Sequence, residues 1–172
     1  MSGLFRNIFT LIIALLSRRE TDIRKGIVSH YWITPFDTGI RSLKSDQYFQ
    51  LAEAAQLDFL VKTSLLARLL REGTGFVNVS QLAKFMKPVG MFQRVRVGTR
   101  IIYANEKCAY FAHAVFVHST PCAEILVKMK FKRGAVTVTP GDLIKTSFSD
   151  KPAQILAWEQ ALEMMSVAPA NQ

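Results

Sequence analysis

Recognised catalytic signatures are what this sequence has least of. Only two cysteines occur, Cys108 and Cys122. They form no Cys-x-x-Cys pair, and neither has a histidine at metal-ligand spacing, so a zinc ribbon, a redox dithiol and a disulfide framework are excluded as organising features. Two buried, reduced thiols suit a reducing compartment. The three histidines, His30, His113 and His118, fall in strand-like stretches with no nucleophile or ligand cluster near them, which reads as structural or surface histidine. There is no G-x-S-x-G elbow and no H-E-x-x-H, and the stretch REGTGF lacks the Gly-Lys that a phosphate-binding loop needs. Acidic residues are scarce too: 13 stand against 22 lysines and arginines, a formal net charge of +9. That excess favours an anionic partner (a phosphorylated cofactor, a membrane surface or nucleic acid) or, more blandly, a basic solvated surface. No recognised RNA- or DNA-binding signature accompanies it, so nucleic acid is not expected as a partner.

What is present is enough apolar material for one domain with a core: 49% of 172 residues are hydrophobic, and no segment is of low complexity. The chain divides into an apolar N-terminal helix (1–19), a folded domain (20–150) and a C-terminal helix with its tail (151–172). The first segment runs GLFRNIFTLIIALLSRRE. As a helix, Leu4 to Leu16 rises only ~20 Å, short of the ~30 Å hydrocarbon core, so it is a poor spanning helix. Gly3, Asn7, Thr10, Ala14 and Ser17 make a narrow small or polar stripe, and Arg18 and Arg19 close the segment where cations suit the helix dipole. An anchor lying in a membrane interface and a helix packed on its own domain or a partner subunit are both consistent with this pattern. No A-x-A cleavage site follows.

Within the domain, IVSHYWIT (27–34) reads as a strand, broken by Pro35 and Gly39. A helix is expected from Ser45, with Ser45 as its N-cap and Asp46 at the positive end of the dipole. Tyr48, Leu51, Ala52, Ala55 and Phe59 line one face, and Phe49, Leu57, Leu60 and Val61 make a second, so other elements enclose it. LLARLLREG continues it or forms a second short helix ending at Gly73. FVNVSQLAKFM, FQRVRVGTRIIYAN, CAYFAHAVFVH and AEILVKMKFKR then read as four successive strands. Val95, Val97 and Ile101 alternate with Arg94, Arg96 and Arg100, and Val127, Met129 and Phe131 with Lys128, Lys130 and Lys132. This marks antiparallel strands with one face on a core. The architecture is α+β, a sheet that wraps one apolar helix.

The wording of PFDTGIRSLKSDQYFQLAEAAQLDFL, with KFMKPVGMFQRVRVGTRIIYANEKCAYFAHAVF, resembles the hotdog-fold thioesterase-like superfamily, and within it the branch that includes membrane-associated thioesterase-like proteins. The resemblance spans roughly residues 27–140. It implies an antiparallel sheet around a long central helix, and a homodimer or higher homo-oligomer with its site at the interface. The activity it implies is hydrolysis of acyl-CoA or acyl-carrier thioesters, with coenzyme A entering as substrate and with no cofactor or metal. A cytoplasmic setting follows, peripheral on the membrane if residues 1–19 bind it. The family's Asp-x-Asp, His-x-Asn-Asn and helical Tyr pattern is matched here by Asp37 and Tyr48. Gly39 stands at the second acid, Ser42-Leu43-Lys44-Ser45 replaces the His-x-Asn-Asn run, and the spacing is one residue shorter.

Thioester hydrolysis needs a carboxylate as nucleophile or general base and donors aimed at the developing oxyanion. Asp37 fills the first role, or is only an Asx-type turn residue between Pro35 and Gly39. Amides around Leu43, Lys44 and Ser45, at a helix N-terminus, fit the second. Glu53 is either a second acid or the partner of a basic strand side chain. Tyr48 is expected to contact substrate. Arg94, Arg96, Arg100, Lys128, Lys130 and Lys132 are candidates for the coenzyme A phosphates, or make a solvated sheet face. The alternative to an enzyme is an acyl-CoA or acyl-carrier binder without turnover, including a subunit of a membrane-associated assembly.

Overall fold

A computed structural model of the chain describes residues 21–145, 148 and 150–166. The apolar segment 1–19, where the membrane and packed-helix readings compete, lies outside the described residues. The elements run β1 (Ile27–Trp32), α1 (Ser45–Lys62), α2 (Leu65–Arg71), β2 (Gly75–Phe85), β3 (Arg94–Ala104), β4 (Ala109–Val117), β5 (Thr120–Arg133), β6 (Val136–Val138), α3 (Pro140–Ile144) and α4 (Ala153–Ser166). The α+β expectation holds. Among the described residues the sheet has six strands, in the order β1-β3-β4-β5-β2 with β6 pairing β5, and its pairings are antiparallel. β6 was not foreseen, since three residues are too few to show a period.

The alternation read from the sequence sorts the two faces. Val95, Val97, Phe111, Val115, Ile125, Val127 and Met129 point inward and are buried against Leu51, Ala52, Ala55 and Phe59 of α1. The alanines on α1 let the sheet close in, and Phe59 meets the Phe111 ring edge-on at 5.6 Å. The helix begins one residue earlier than expected: Lys44, in extended conformation and without a side-chain cap, is the N-cap, and Ser45 is the first helical residue. Ser64 at φ 58 breaks α1 from α2, which ends before Gly73 at φ 59. Gly26 opens β1 at φ +67, and a Cβ there would lie 2.8 Å from the Thr99 carbonyl oxygen. Only glycine fits that approach.

The face of the sheet turned away from α1 is partly covered by α4. Ile155 and Trp158 pack on Cys108 and Tyr110, with Ile102, Tyr103 and Leu126 around them. Glu159 pins this contact: it accepts hydrogen bonds from the Tyr110 hydroxyl, from Lys151 and from Lys128, the last at 3.2 Å.

Candidate active site

The loop from β1 to α1 is a tight, self-bonded turn. The Asp37 amide donates to the Thr34 carbonyl (3.0 Å) and the Gly39 amide to that of Ser42 (2.8 Å). The Asp37 carboxylate is 4% exposed. Its Oδ2 accepts from the Thr34 amide at 2.9 Å and from the Thr34 hydroxyl at 2.7 Å. These two bonds fix the side-chain rotamer, so Asp37 closes a turn and also presents a positioned carboxylate at the entrance to α1.

The donors expected beside it are partly committed elsewhere. Leu43 donates its amide to the Val89 carbonyl (2.8 Å), and Lys44 donates to that of Asp37 itself (3.2 Å). Neither amide is available to an oxyanion. With Lys44 as N-cap, the open amides of the first turn are those of Ser45 and Asp46, which among the described residues meet no carbonyl. Tyr48, expected to touch substrate, is buried in the core, 5.0 Å from the Phe85 ring. Burial pushes its hydroxyl pKa up, and contact with the Val89 backbone partly opposes that. Glu53 is half-buried and makes no ion pair among the described residues. At 100° per residue it lies on the side of α1 away from Leu51, Ala55 and Phe59.

The six basic strand residues do not form one patch. The strand register puts Arg94 opposite Trp32, and Arg96 opposite His30 and Phe116, at the end of the sheet from which the Asp37 loop leaves. Arg96 lies over the Phe116 ring at 4.9 Å. Burial, together with Arg94, Arg96 and Lys62, holds His30 below its usual pKa. Lys128, Lys130 and Lys132 pair with Ser80, Val77 and Gly75, toward the opposite end. Lys128 is also engaged by Glu159 and lies 5.5 Å from the Tyr110 ring. Arg100 sits between the two groups, opposite Ala112.

Some polar features went unread in the sequence. Asp58 is buried, accepts from the Ser29 hydroxyl at 2.6 Å and pairs with Lys62 at 2.7 Å. Its i,i+4 spacing from Lys62 looks like an ordinary surface pair, and only the β1 contact reveals the burial. Around the Asp37 loop, Trp32, Phe36, Ile40 and Phe92 are all strongly exposed. Phe92 sits at φ 60, a strained position for a bulky residue, held by its amide bond to the Ile33 carbonyl. Among the described residues, no cluster of histidine, cysteine and acids is arranged for a metal ion.

An antiparallel sheet curled round one buried helix defines the hotdog class of fold. A family model, the thioesterase-like superfamily, matches residues 41–141, and the chain belongs to that superfamily. The match begins four residues after Asp37, so it carries α1 and the sheet but not the carboxylate. Among solved structures, a probable thioesterase from Bartonella henselae is similar, with TM-score 0.61 and 15% identity, over 66% of this chain and 98% of that one. The YbaW probable thioesterase from Escherichia coli gives TM-score 0.63 and 13% identity, over 69% and 94%. The DHNA-CoA thioesterase from Staphylococcus aureus gives 0.60 and 12%, over 85% and 97%. At these identities the likeness is one of fold. A comparison with curated proteins finds no match.

Proposed function

We propose that the protein hydrolyses an acyl-CoA or acyl-carrier thioester, with Asp37 as nucleophile or general base. The observation that carries this reading is the buried Asp37 carboxylate, oriented by Thr34 and placed at the open first turn of α1 in a thioesterase-like fold. As nucleophile, Asp37 adds to the carbonyl carbon, the coenzyme A thiolate leaves, and water then hydrolyses the anhydride. As base, it takes the proton of a water that attacks directly. In both cases the Ser45 and Asp46 amides receive the oxyanion, helped by the positive end of the helix dipole. The acyl group rests among Phe36, Ile40 and Phe92, and Arg94 and Arg96 face the phosphates. The S. aureus neighbour is a DHNA-CoA thioesterase, in keeping with a coenzyme A thioester as substrate. A second reading, a binder without turnover, is favoured by the loss of the Leu43 and Lys44 amides to internal hydrogen bonds.

The test is thiol release from short, medium, long and aromatic acyl-CoAs. Asp37→Asn should keep the fold and acyl-CoA binding and cut hydrolysis by at least the ~10²-fold typical of lost acid–base catalysis. Wild-type protein that binds an acyl-CoA and hydrolyses none selects the binder. Hydrolysis undiminished in Asp37→Asn leaves Asp37 as a turn residue only, and Glu53 becomes the acid to test.

The functional unit in this proposal is a homodimer. β2 is an edge strand of 11 residues, and Phe76, Val77, Val79, Leu82 and Phe85 are each between 39% and 48% exposed. So long an apolar edge demands cover, and a second copy supplies it by strand pairing. Light scattering at micromolar concentration should give a dimer, and Val77→Lys with Val79→Lys a monomer; a monomeric wild type refutes the assembly. No described helix is long and apolar enough to cross a membrane. The proposed setting is cytoplasmic, with peripheral attachment through residues 1–19, which flotation with anionic liposomes before and after their deletion reads out.

A further inference from the structure

On the face of the sheet turned away from α1 and Asp37 lies a groove of about 580 Å³, beside the first turn of α4. Its floor is made by Gly98, Ala112 and Ala114, with Leu82 and Leu126 continuing it toward β2. These small residues are neighbours across β3 and β4, where Gly98 faces Ala114 and Arg100 faces Ala112. Gly98 has no conformational reason to be glycine. Its φ is not in the left-handed region, and a Cβ built on it would meet nothing within 4 Å. Glycine in a strand interior weakens the strand, so its presence leaves open a space that an ordinary strand residue would fill.

The rim is polarised. At the β1 end stand Lys25 and Arg100, neither in an ion pair with a described residue. Gly26, the residue after Lys25, lies against Arg100: a Cβ on it would be 3.1 Å from the Arg100 Cβ. At the other end Lys84 faces Glu124 in register, so a carboxylate neighbours that cation whereas none faces Arg100, which stands opposite Ala112. Between the two ends the groove crosses β1, β3, β4, β5 and β2, four inter-strand steps of about 4.8 Å, or roughly 19 Å.

We propose that this groove binds a free long-chain carboxylate, its head on Arg100 and Lys25 and its chain lying over Gly98, Ala112 and Ala114 toward Leu82 and Leu126. Arginine offers a fork matched to a carboxylate. The volume is that of a small-molecule site, and the lining is mainly apolar with a few placed charges. The inference does not rest on the proposed hydrolysis.

The experiment is isothermal titration of the full chain with dodecanoate below its critical micelle concentration, beside dodecyltrimethylammonium as a cation of equal chain length. Wild type should bind dodecanoate saturably at one site per chain and the cation at least tenfold more weakly. Gly98→Leu, which fills the floor, and Arg100→Glu, which reverses the head charge, should each weaken dodecanoate binding tenfold or more with unchanged circular dichroism. Asp37→Asn should bind as wild type does. Any of three results overturns the proposal: no saturable binding by wild type, as when residues 1–19 fill the groove; equal binding of the cation; or binding that is lost in Asp37→Asn and kept in both Gly98→Leu and Arg100→Glu.

Discussion

Replacing Glu159 by glutamine tests how α4 is held to the sheet. Glu159 sits on α4 with its side chain 17% exposed. Burial alone pushes its pKa up, but hydrogen bonds from Lys151, Tyr110 and Lys128 outweigh that and hold it at about 2, against an ordinary 4.5. The gap corresponds to about 3 kcal/mol favouring the folded, ionised state, shared between Lys151 just ahead of α4 and Tyr110 and Lys128 of the sheet. Because the pKa is depressed in the folded state, this contribution is complete above pH 4.5 and is lost as the pH falls toward 2. Glu159→Gln keeps the volume and an acceptor for the Tyr110 hydroxyl while leaving Lys128 and Lys151 without their counter-charge, so at pH 7 it should cost about 2–3 kcal/mol. The reporter is built in: Trp158 is 5% exposed under α4, whereas Trp32, at 66%, is the other tryptophan. In a Trp32→Phe background, Glu159→Gln should shift the emission to the red and lower the urea midpoint, and the difference from wild type should shrink as the pH is taken from 5 toward 3. An unchanged midpoint and unchanged emission at pH 7 would refute the reasoning.

Burial pushes His113 down to about 3, with its Nδ1 3.0 Å from the Thr99 hydroxyl and its Nε2 without a partner among the described residues. The unfolded chain therefore takes up the proton first: wild type should lose up to about 1.4 kcal/mol per pH unit below pH 6.5, and His113→Leu should flatten that slope in urea unfolding at pH 7, 6 and 5. Gly26→Ala meets both a left-handed φ and the Thr99 carbonyl, and should cost at least about 2 kcal/mol and lower the melting temperature by several degrees. Gly73→Ala, with nothing within 4 Å of its Cβ, should cost only about 1 kcal/mol; equal effects in the two would show that the contact does not matter.

Face was legible in the sequence, and position along the face was not. Alternation placed Val95 and Val97 inward and Arg94 and Arg96 outward, because a strand's period is local. It could not say that Arg94 lies beside Trp32 while Lys130 lies beside Val77, since register is a tertiary quantity. That is why six basic residues read as one patch and proved to be two groups with Arg100 between them. Lys128 shows the same limit: its partner Glu159 is 31 positions away on a helix that reads as a mere appendage. At the site, the turn at Asp37 and the helix after it were legible from turn chemistry and periodicity, while Asp37 as a candidate acid came from the family resemblance. The fate of the Leu43 and Lys44 amides was not, because it depends on Val89, brought in from the loop after β2, for the first and on the fold-back of the turn onto the Asp37 carbonyl for the second.

The pairing of β2 has a consequence for biogenesis. β2 is made before β3 and β4, yet the strand it pairs with is β5, from Ala123 to Lys132. During synthesis an apolar 11-residue strand therefore waits, with neither sheet neighbour nor subunit, until the ribosome has passed Arg133. Such non-local topology folds slowly, and the waiting strand is the segment most exposed to wrong pairing. Lys84 is the one charged residue within it, a single gatekeeper near its end, so newly made chain should depend on holdase chaperones more than the stability of the finished sheet would suggest.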